Sequence, residues 1–217
     1  MNINLDNVAE CIMALLNENS TRIVPQQSLN SPRAVGDNVQ EYLAEEGLEQ
    51  ALKRIGIVNV QNDFTRRSME DIAFTDGQGN YYAVDVKTHN INTQFNRPNL
   101  ISVQRLAKFY RNDTNTFCIL IVSYTVKNKT ISFTDCNFKP IEAFSWNGCL
   151  TLGALGWGQI QIYDANRLTF YNPSIGRKKW MLELCDTLDK FYDEEIGKIN
   201  ERKLWFSNIK KYWEKHL

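Results

Sequence analysis

The sequence predicts an α/β protein in which a mixed central β-sheet is flanked by α-helices and followed by a long C-terminal helical segment. Residues 72–84 alternate in polarity around Asp76-Gly77-Gln78-Gly79-Asn80, the pattern of a strand, a tight turn and a returning strand. Phe117-Cys118-Ile119-Leu120-Ile121-Val122 is almost unbroken apolar sequence, as a strand buried on both faces is. Apolar residues three and four apart recur towards both ends of the chain, the period of amphipathic helices.

The elements follow in order. Leu5, Val8, Cys11, Ile12, Leu15 and Leu16 share one helical face over residues 5–19, so residues 1–20 are expected to serve as a packing or dimerisation element. Residues 25–32 form a polar connection bounded by prolines. Asp37, after Gly36, is the expected N-cap of a second helix whose core face is Val39, Tyr42, Leu43, Leu48, Ala51, Leu52 and Ile55, with Gly47 placed to bend or split it. After the hairpin, residues 100–110 are expected to be a helix with Ile101, Leu106 and Phe109 inward. Residues 117–126 are expected to be the central strand, followed by a turn at Lys127-Asn128-Lys129 and strands at 130–135, 159–163 and 168–170. From residue 175 onward Trp180, Leu184, Leu188, Phe191, Ile196, Ile199, Leu204, Ile209 and Trp213 indicate one long helix or two, packed on their own domain or reaching a partner.

Composition bounds the function classes. At 217 residues and 43% hydrophobic content, the chain suits a single domain spanning 1–217. Lys plus Arg total 25 and Asp plus Glu total 25, so a uniformly basic nucleic-acid coat is excluded and any charge that matters is local. The cysteines at 11, 118, 136, 149 and 185 form no Cys-x-x-Cys pair and no zinc spacing with His89 or His216. Scattered thiols without an N-terminal apolar signal segment fit a reducing cytoplasm. No apolar run approaches the ~20 residues that cross a bilayer, so no membrane partner is expected.

The chemistry concentrates at one point. Asp71 precedes the hairpin and Asp85 opens Asp85-Val86-Lys87 on its returning strand, so the hairpin brings the two carboxylates side by side. Period-two alternation places Asp85 and Lys87 on one face and turns Val86 to the other. Two hard oxygen donors suit Mg²⁺, which completes its shell with water and substrate phosphate. A lysine beside them can orient the attacking water. An exposed ion pair at a sheet edge is the alternative.

The stretch that follows is locally basic. Between Val86 and Asn112 there is no Asp or Glu, while Lys87, Arg97, Arg105, Lys108 and Arg111 all fall within it. Thr88, His89, Asn90, Asn92, Asn96 and Asn99 add hydroxyl, imidazole and amide groups suited to phosphates, sugars and base edges. An ordinary polar loop between a strand and a helix is the other reading.

Asp71, Asp85 and Lys87 resemble the motif of the PD-(D/E)xK superfamily. The run from Asp85 to Ile91, then Pro98-Asn99-Leu100-Ile101-Ser102 and Leu106-Ala107, is similar to the HincII/EcoRV blunt-cutting branch of type II restriction endonucleases. Gln159-Ile160-Gln161-Ile162, with Arg177 and Trp180 further on, resembles the C-terminal third of the same branch. The likeness spans roughly residues 31–217.

The resemblance implies a restriction-endonuclease-like fold and a Mg²⁺-dependent site-specific deoxyribonuclease of a restriction-modification system, with Mn²⁺ as a substitute ion. Asp71, Asp85 and Lys87 would be catalytic. Asp71, Asp85 and the Val86 carbonyl would hold the metal. Thr88, His89, Asn90, Asn92, Asn96, Arg97 and Asn99 would contact DNA, with Asn99 at a base-contacting position and Asn96 where the family places a glutamine that intrudes on the stacked bases. Gln40 or Glu41 would be an accessory group from the second helix. The implied reaction cuts double-stranded DNA at a short palindrome, leaving blunt ends with a 5′-phosphate and a 3′-hydroxyl. A homodimer is expected, because two strands related by a two-fold axis call for two sites.

Two departures stand out. Glu70 replaces the proline of the motif, and residues 151–157 lack the asparagine that precedes the Gln-Ile-Gln strand, so the recognition sequence is not expected to be inherited unchanged. A repair or junction-resolving nuclease on the same core, or a DNA-binding protein without catalysis, are the alternatives. The C-terminal helix would then reach either DNA or a partner subunit.

Overall fold

Asp76 organises the turn on which the site is built. In the computed structural model, which describes residues 3–64, 68–93, 97–154, 158–171 and 176–216, its buried carboxylate accepts the N–H groups of Gln78 and Asn80 and the Asn80 amide, each at 2.9 Å. The Tyr82 hydroxyl donates to it at 3.3 Å. Burial pushes this carboxyl up, but the donors outweigh burial and the net shift is downward. Gly79 takes φ +84° in the turn, a left-handed conformation that costs glycine little.

The strands are Val60–Gln61 (β1), Ile72–Thr75 (β2), Tyr81–Asn90 (β3), Asn99–Ser102 (β4), Asn115–Lys127 (β5), Thr130–Pro140 (β6), Leu150–Gly153 (β7) and Gln159–Ile162 (β8). Five of them form the main sheet in the order β1-β2-β3-β5-β6. β2 and β3 are antiparallel with Ile72 opposite Val84, β3 and β5 are parallel with Val86 opposite Leu120, and β5 and β6 are antiparallel. The sheet is mixed, as expected, but its middle strand is β3. The long apolar strand β5 lies one place over, buried because both faces of the sheet are covered there.

The helices are Leu5–Glu18 (α1), Ser20–Ile23 (α2), Pro32–Tyr42 (α3), Leu48–Arg54 (α4), Val103–Phe109 (α5) and Arg177–Glu214 (α6). α1, α3 and α4 cover one face of the main sheet, packing Val8, Ile12, Leu16, Val39, Leu48 and Leu52 against Phe74, Val84, Val86, Leu120 and Val122. The opposite face carries Ala83, Phe117, Ile119 and Ile121, which meet α5, the base of α6 and a second sheet of order β4-β8-β7. Odd-numbered residues of β3 therefore face the second layer and even-numbered ones the helices.

Several expectations are corrected. The second helix begins at Pro32 rather than at Asp37: Ser31 Oγ accepts the Ala34 N–H at 3.3 Å, and proline at the first helical position loses no hydrogen bond. The bend expected at Gly47 is a π-helical turn, Leu43–Gly47, joining α3 to α4. Residues 100–110 are not one helix. Asn99–Ser102 pairs with β8, and α5 starts only at Val103, with Ser102 Oγ capping the Arg105 N–H at 3.3 Å. Pairing with a distant strand overrides the local helical period there. The strand expected at 168–170 is reduced to a single bridge between Phe170 and Phe144.

The C-terminal segment is one helix of 38 residues. Trp180 and Leu184 are its buried residues among those described, and every described residue from 196 on is exposed. Packing on its own domain thus describes the base of α6 and not its distal half. No helix among the described residues is long and apolar enough to cross a membrane.

Candidate active site

β2 and β3 deliver the two carboxylates to one place. The Asp71 N–H donates to the Val84 carbonyl at 2.9 Å, extending the hairpin ladder by one residue. Asp71 Oδ2 in turn accepts the Val86 N–H at 2.7 Å. The Val86 side chain points into the helix-covered core, while Asp85 and Lys87 face the second layer. This is the alternation that the sequence predicts.

Asp85 is the most perturbed group of the site. Its side chain is 9% exposed, its Oδ1 accepts Lys87 Nζ at 2.5 Å, and its Oδ2 has no hydrogen-bond partner among the described residues. Burial pushes its carboxyl up, Lys87 pulls it down and Asp71 pushes it up further, leaving it at about 7. A buried carboxylate oxygen without a donor is costly, and a cation beside it relieves that cost.

The donor set fits a hard divalent cation. Asp71 and Asp85 are adjacent carboxylates, the orphaned Oδ2 of Asp85 is open to coordination, and the Val86 carbonyl belongs to the peptide between them and Lys87. Among the described residues no group of three or more His, Cys, Asp or Glu is placed to hold a metal ion. An ion held here therefore takes the rest of its shell from main chain, water and substrate, as Mg²⁺ does.

Beside the trio lies a cavity of about 560 Å³. α3 contributes Arg33, Gly36 and Asp37 to its wall, and β3 contributes Lys87, Thr88, His89 and Asn90. Lys87 is the member of the trio that reaches it, while Asp71 and Asp85 are not in its lining. α3 comes this close because Gly36 has no side chain: a Cβ there would stand 2.8 Å from Thr88 Oγ1. Tyr124 fixes the start of α3 by donating its hydroxyl to the Pro32 carbonyl at 2.7 Å.

The polar residues at the end of β3 are largely engaged with one another. His89 Nε2 is 2.9 Å from Asn166 Oδ1, which ties β3 to the loop after β8. Asn90 Oδ1 accepts the Asn92 N–H at 3.0 Å, and the Asn92 amide donates to Thr125 Oγ1. Thr88 lies under Gly36. Arg97 stacks over the Tyr163 ring, 4.8 Å from its centroid. Asn96 lies outside the described residues.

Asn99 is exposed on β4 opposite Gln161 of β8, whose Nε2 donates to Asn99 Oδ1 at 2.7 Å. Gly153 makes room for that pair, since a Cβ there would come within 2.6 Å of the Gln161 amide. Of the accessory candidates, Gln40 is half-buried on α3. Glu41 is exposed and lines a separate hollow with Arg22, Asn38 and Glu45.

Asp37, Asn166, Tyr163 and Gln161 join the site without having been singled out for it. By sequence Asp37 reads as a helix cap and Gln161 as part of a matching strand. Two glutamines at alternate positions of one strand, 159 and 161, were the signal that an amide-bearing face lay there.

No protein-family profile and no curated protein matches the sequence. Among solved structures, NlaIV restriction endonuclease is similar over 63% of this chain, with 15% identity and a TM-score of 0.40. The match spans 57% of that protein's own length.

Proposed function

We propose that this protein is a Mg²⁺-dependent type II restriction endonuclease that hydrolyses phosphodiester bonds of double-stranded DNA at a short palindromic sequence. The observation that carries the reading is the convergence of Asp71, Asp85 and Lys87 where β2 and β3 meet, with a buried Asp85 oxygen left open. The motif resemblance across residues 71–107 supports it further. Asp71, Asp85 and the Val86 carbonyl would hold the ion, with Mn²⁺ able to replace it. Bound there, Mg²⁺ would polarise the phosphodiester and acidify a water molecule.

The chain's own groups supply the rest. Lys87 Nζ, now on Asp85 Oδ1, turns from it to the scissile phosphate, donates to a non-bridging oxygen and stabilises the charge that builds there. The attacking water gives up a proton to solvent as its oxygen bonds to phosphorus, the bond to the 3′ oxygen breaks, and that oxygen takes up a proton from solvent, so the products are a 5′-phosphate and a 3′-hydroxyl. Asn99, Arg97 and the end of β3 from Thr88 to Asn92 would face the grooves and backbone. A homodimer would set one site on each strand, and directly opposed cuts leave blunt ends.

The test is digestion of a genome of known sequence in Mg²⁺ and in EDTA, with the fragment ends sequenced. Discrete metal-dependent fragments are expected. Nicking or a random smear would mark a repair-type nuclease, cutting confined to branched or mismatched duplexes a junction-resolving one, and tight binding without cleavage under any divalent metal a non-catalytic DNA-binding protein.

A further inference from the structure

The helix face that docks α6 on the body continues after the body ends. Trp180 and Leu184 are buried, and Leu188 packs on the same cluster. Steps of three and four residues, by way of Phe191, Glu195 and Arg202, carry that stripe on to Ile199, Phe206, Ile209 and Trp213, the spacing of an apolar helix face broken at two charged positions. These four are 52%, 61%, 36% and 61% exposed, and Trp205 beside them is 58% exposed. The stretch from 196 to 214 is roughly 28 Å long at 1.5 Å per residue. An exposed apolar stripe of this extent marks an interaction surface, and aromatic anchors of this kind dominate protein interfaces.

Charge along the same segment is polarised. Residues 189–201 carry Asp189, Asp193, Glu194, Glu195 and Glu201 against Lys190 and Lys198, whereas residues 202–216 carry Arg202, Lys203, Lys210, Lys211 and Lys215 against Glu214. A helix that is acidic in its first half and basic in its second is complementary to its own reverse.

We propose that distal α6 pairs antiparallel with the same segment of a second copy of this chain, the two helices crossing close to Arg202. A two-fold axis perpendicular to the helices generates this arrangement and makes the contact self-complementary. Helix axes in contact lie ~8–10 Å apart, within about one Debye length at physiological salt. Acidic half then faces basic half at a range where the attraction acts, while a parallel pair would set like on like. Duplex DNA suits the basic half alone, because the acidic half repels phosphate and the aromatic stripe stays wet. The inference stands on α6 and does not depend on the nuclease reading.

The experiment is sedimentation of the full chain over a range of concentrations, which reads mass and not cleavage. The unaltered protein is expected to be a dimer that weakens as salt rises. Lys210→Glu with Lys211→Glu, or Glu194→Lys with Glu195→Lys, should each weaken it about tenfold or more. All four together should restore it. Glu194, Lys210 and Lys211 are exposed, and Glu195 is half-buried in an ion pair with Lys198 on its own helix, so circular dichroism should show an unchanged fold.

In a Cys185→Ser background, Arg202→Cys should cross-link to itself on oxidation, and Trp213→Cys should not. A monomer at every concentration, a dimer indifferent to the reversals, failure of the fourfold variant to recover, or self-linking at 213 would each overturn the proposal. Loss of duplex binding on reversing Lys210 and Lys211 in a chain that stays monomeric would assign the segment to DNA instead.

Discussion

The Asp71 carboxylate accepts the main-chain N–H of Val86 at 2.7 Å, bolting the residue before β2 to the peptide between Asp85 and Val86. One contact thereby sets the spacing of all three charged side chains. The hairpin turn under Asp76 holds the other end of the same unit. Geometry at the site is a property of the hairpin and not of the surrounding loops.

Lys87→Ala should slow turnover about a hundredfold or more while sparing DNA binding. A single positioned donor to developing charge is worth about a hundredfold or more in rate, whereas one phosphate contact among many changes affinity little. The variant also leaves Asp85 without its cation, so its carboxyl should rise further and take up a proton. Single-turnover cleavage beside equilibrium binding in Ca²⁺ separates the two effects, and a fully active Lys87→Ala protein would refute the assignment.

Asp85 should make the apoprotein less stable as pH rises. Its folded value of about 7 lies above the ordinary 3.8, so between those values the folded state keeps a proton that the unfolded chain has shed. Unfolding free energy should therefore fall as pH increases from about 4 to about 7 and level off above, by on the order of a few kcal/mol. Asp85→Asn should flatten that slope and be the more stable protein at pH 8 in EDTA. Urea denaturation at a series of pH values would show it.

In the proposed metal site the same proton would oppose binding of the ion. Because the ion must displace it, Mg²⁺ affinity should drop by about tenfold per pH unit below about 7 and vary little above. Calorimetry in buffers of different ionisation enthalpy should record proton release on binding at pH 6 and little at pH 8. An affinity independent of pH would mean that Asp85 is not a ligand.

Gly36→Ala should strain the contact between α3 and β3. The added Cβ meets Thr88 Oγ1 at 2.8 Å, and overpacking of this kind costs about 1–3 kcal/mol. Thr88→Ala in the same chain removes the obstructing oxygen and should recover most of the loss. Gly77→Ala, where nothing lies within 4 Å, should change stability by about 0.5 kcal/mol at most. Thermal melts of the four proteins give the comparison.

Gln161→Ala should leave the fold intact and loosen discrimination. It removes the 2.7 Å bond to Asn99, a partly exposed interaction worth about 1 kcal/mol in stability. If Asn99 meets a base, its lost orientation should cost ~1–3 kcal/mol between the preferred site and a single-mismatch site. Cleavage rates on the two substrates measure that ratio, and an unchanged ratio removes this amide pair from recognition.

Much of this protein is local, and what is local was legible. The hairpin from 72 to 84, the buried run at 117–122 and the amphipathic faces of α1 and α6 follow from period and turn chemistry, because each side chain's direction is set by its own backbone. The adjacency of Asp71, Asp85 and Lys87 belongs to the same class, since a tight hairpin fixes it. Contacts between distant segments were not legible. Asn99–Ser102 carries a helical pattern and became a strand because β8 offered an unpaired edge. Asn166 met His89, and Gly36 admitted α3 to the Lys87 cavity, only once the layers had stacked. The orphaned oxygen of Asp85 and its raised carboxyl arise the same way. Local order is written in residue spacing; burial, which decides what a charge costs and what it can bind, exists only when segments remote in sequence close over it.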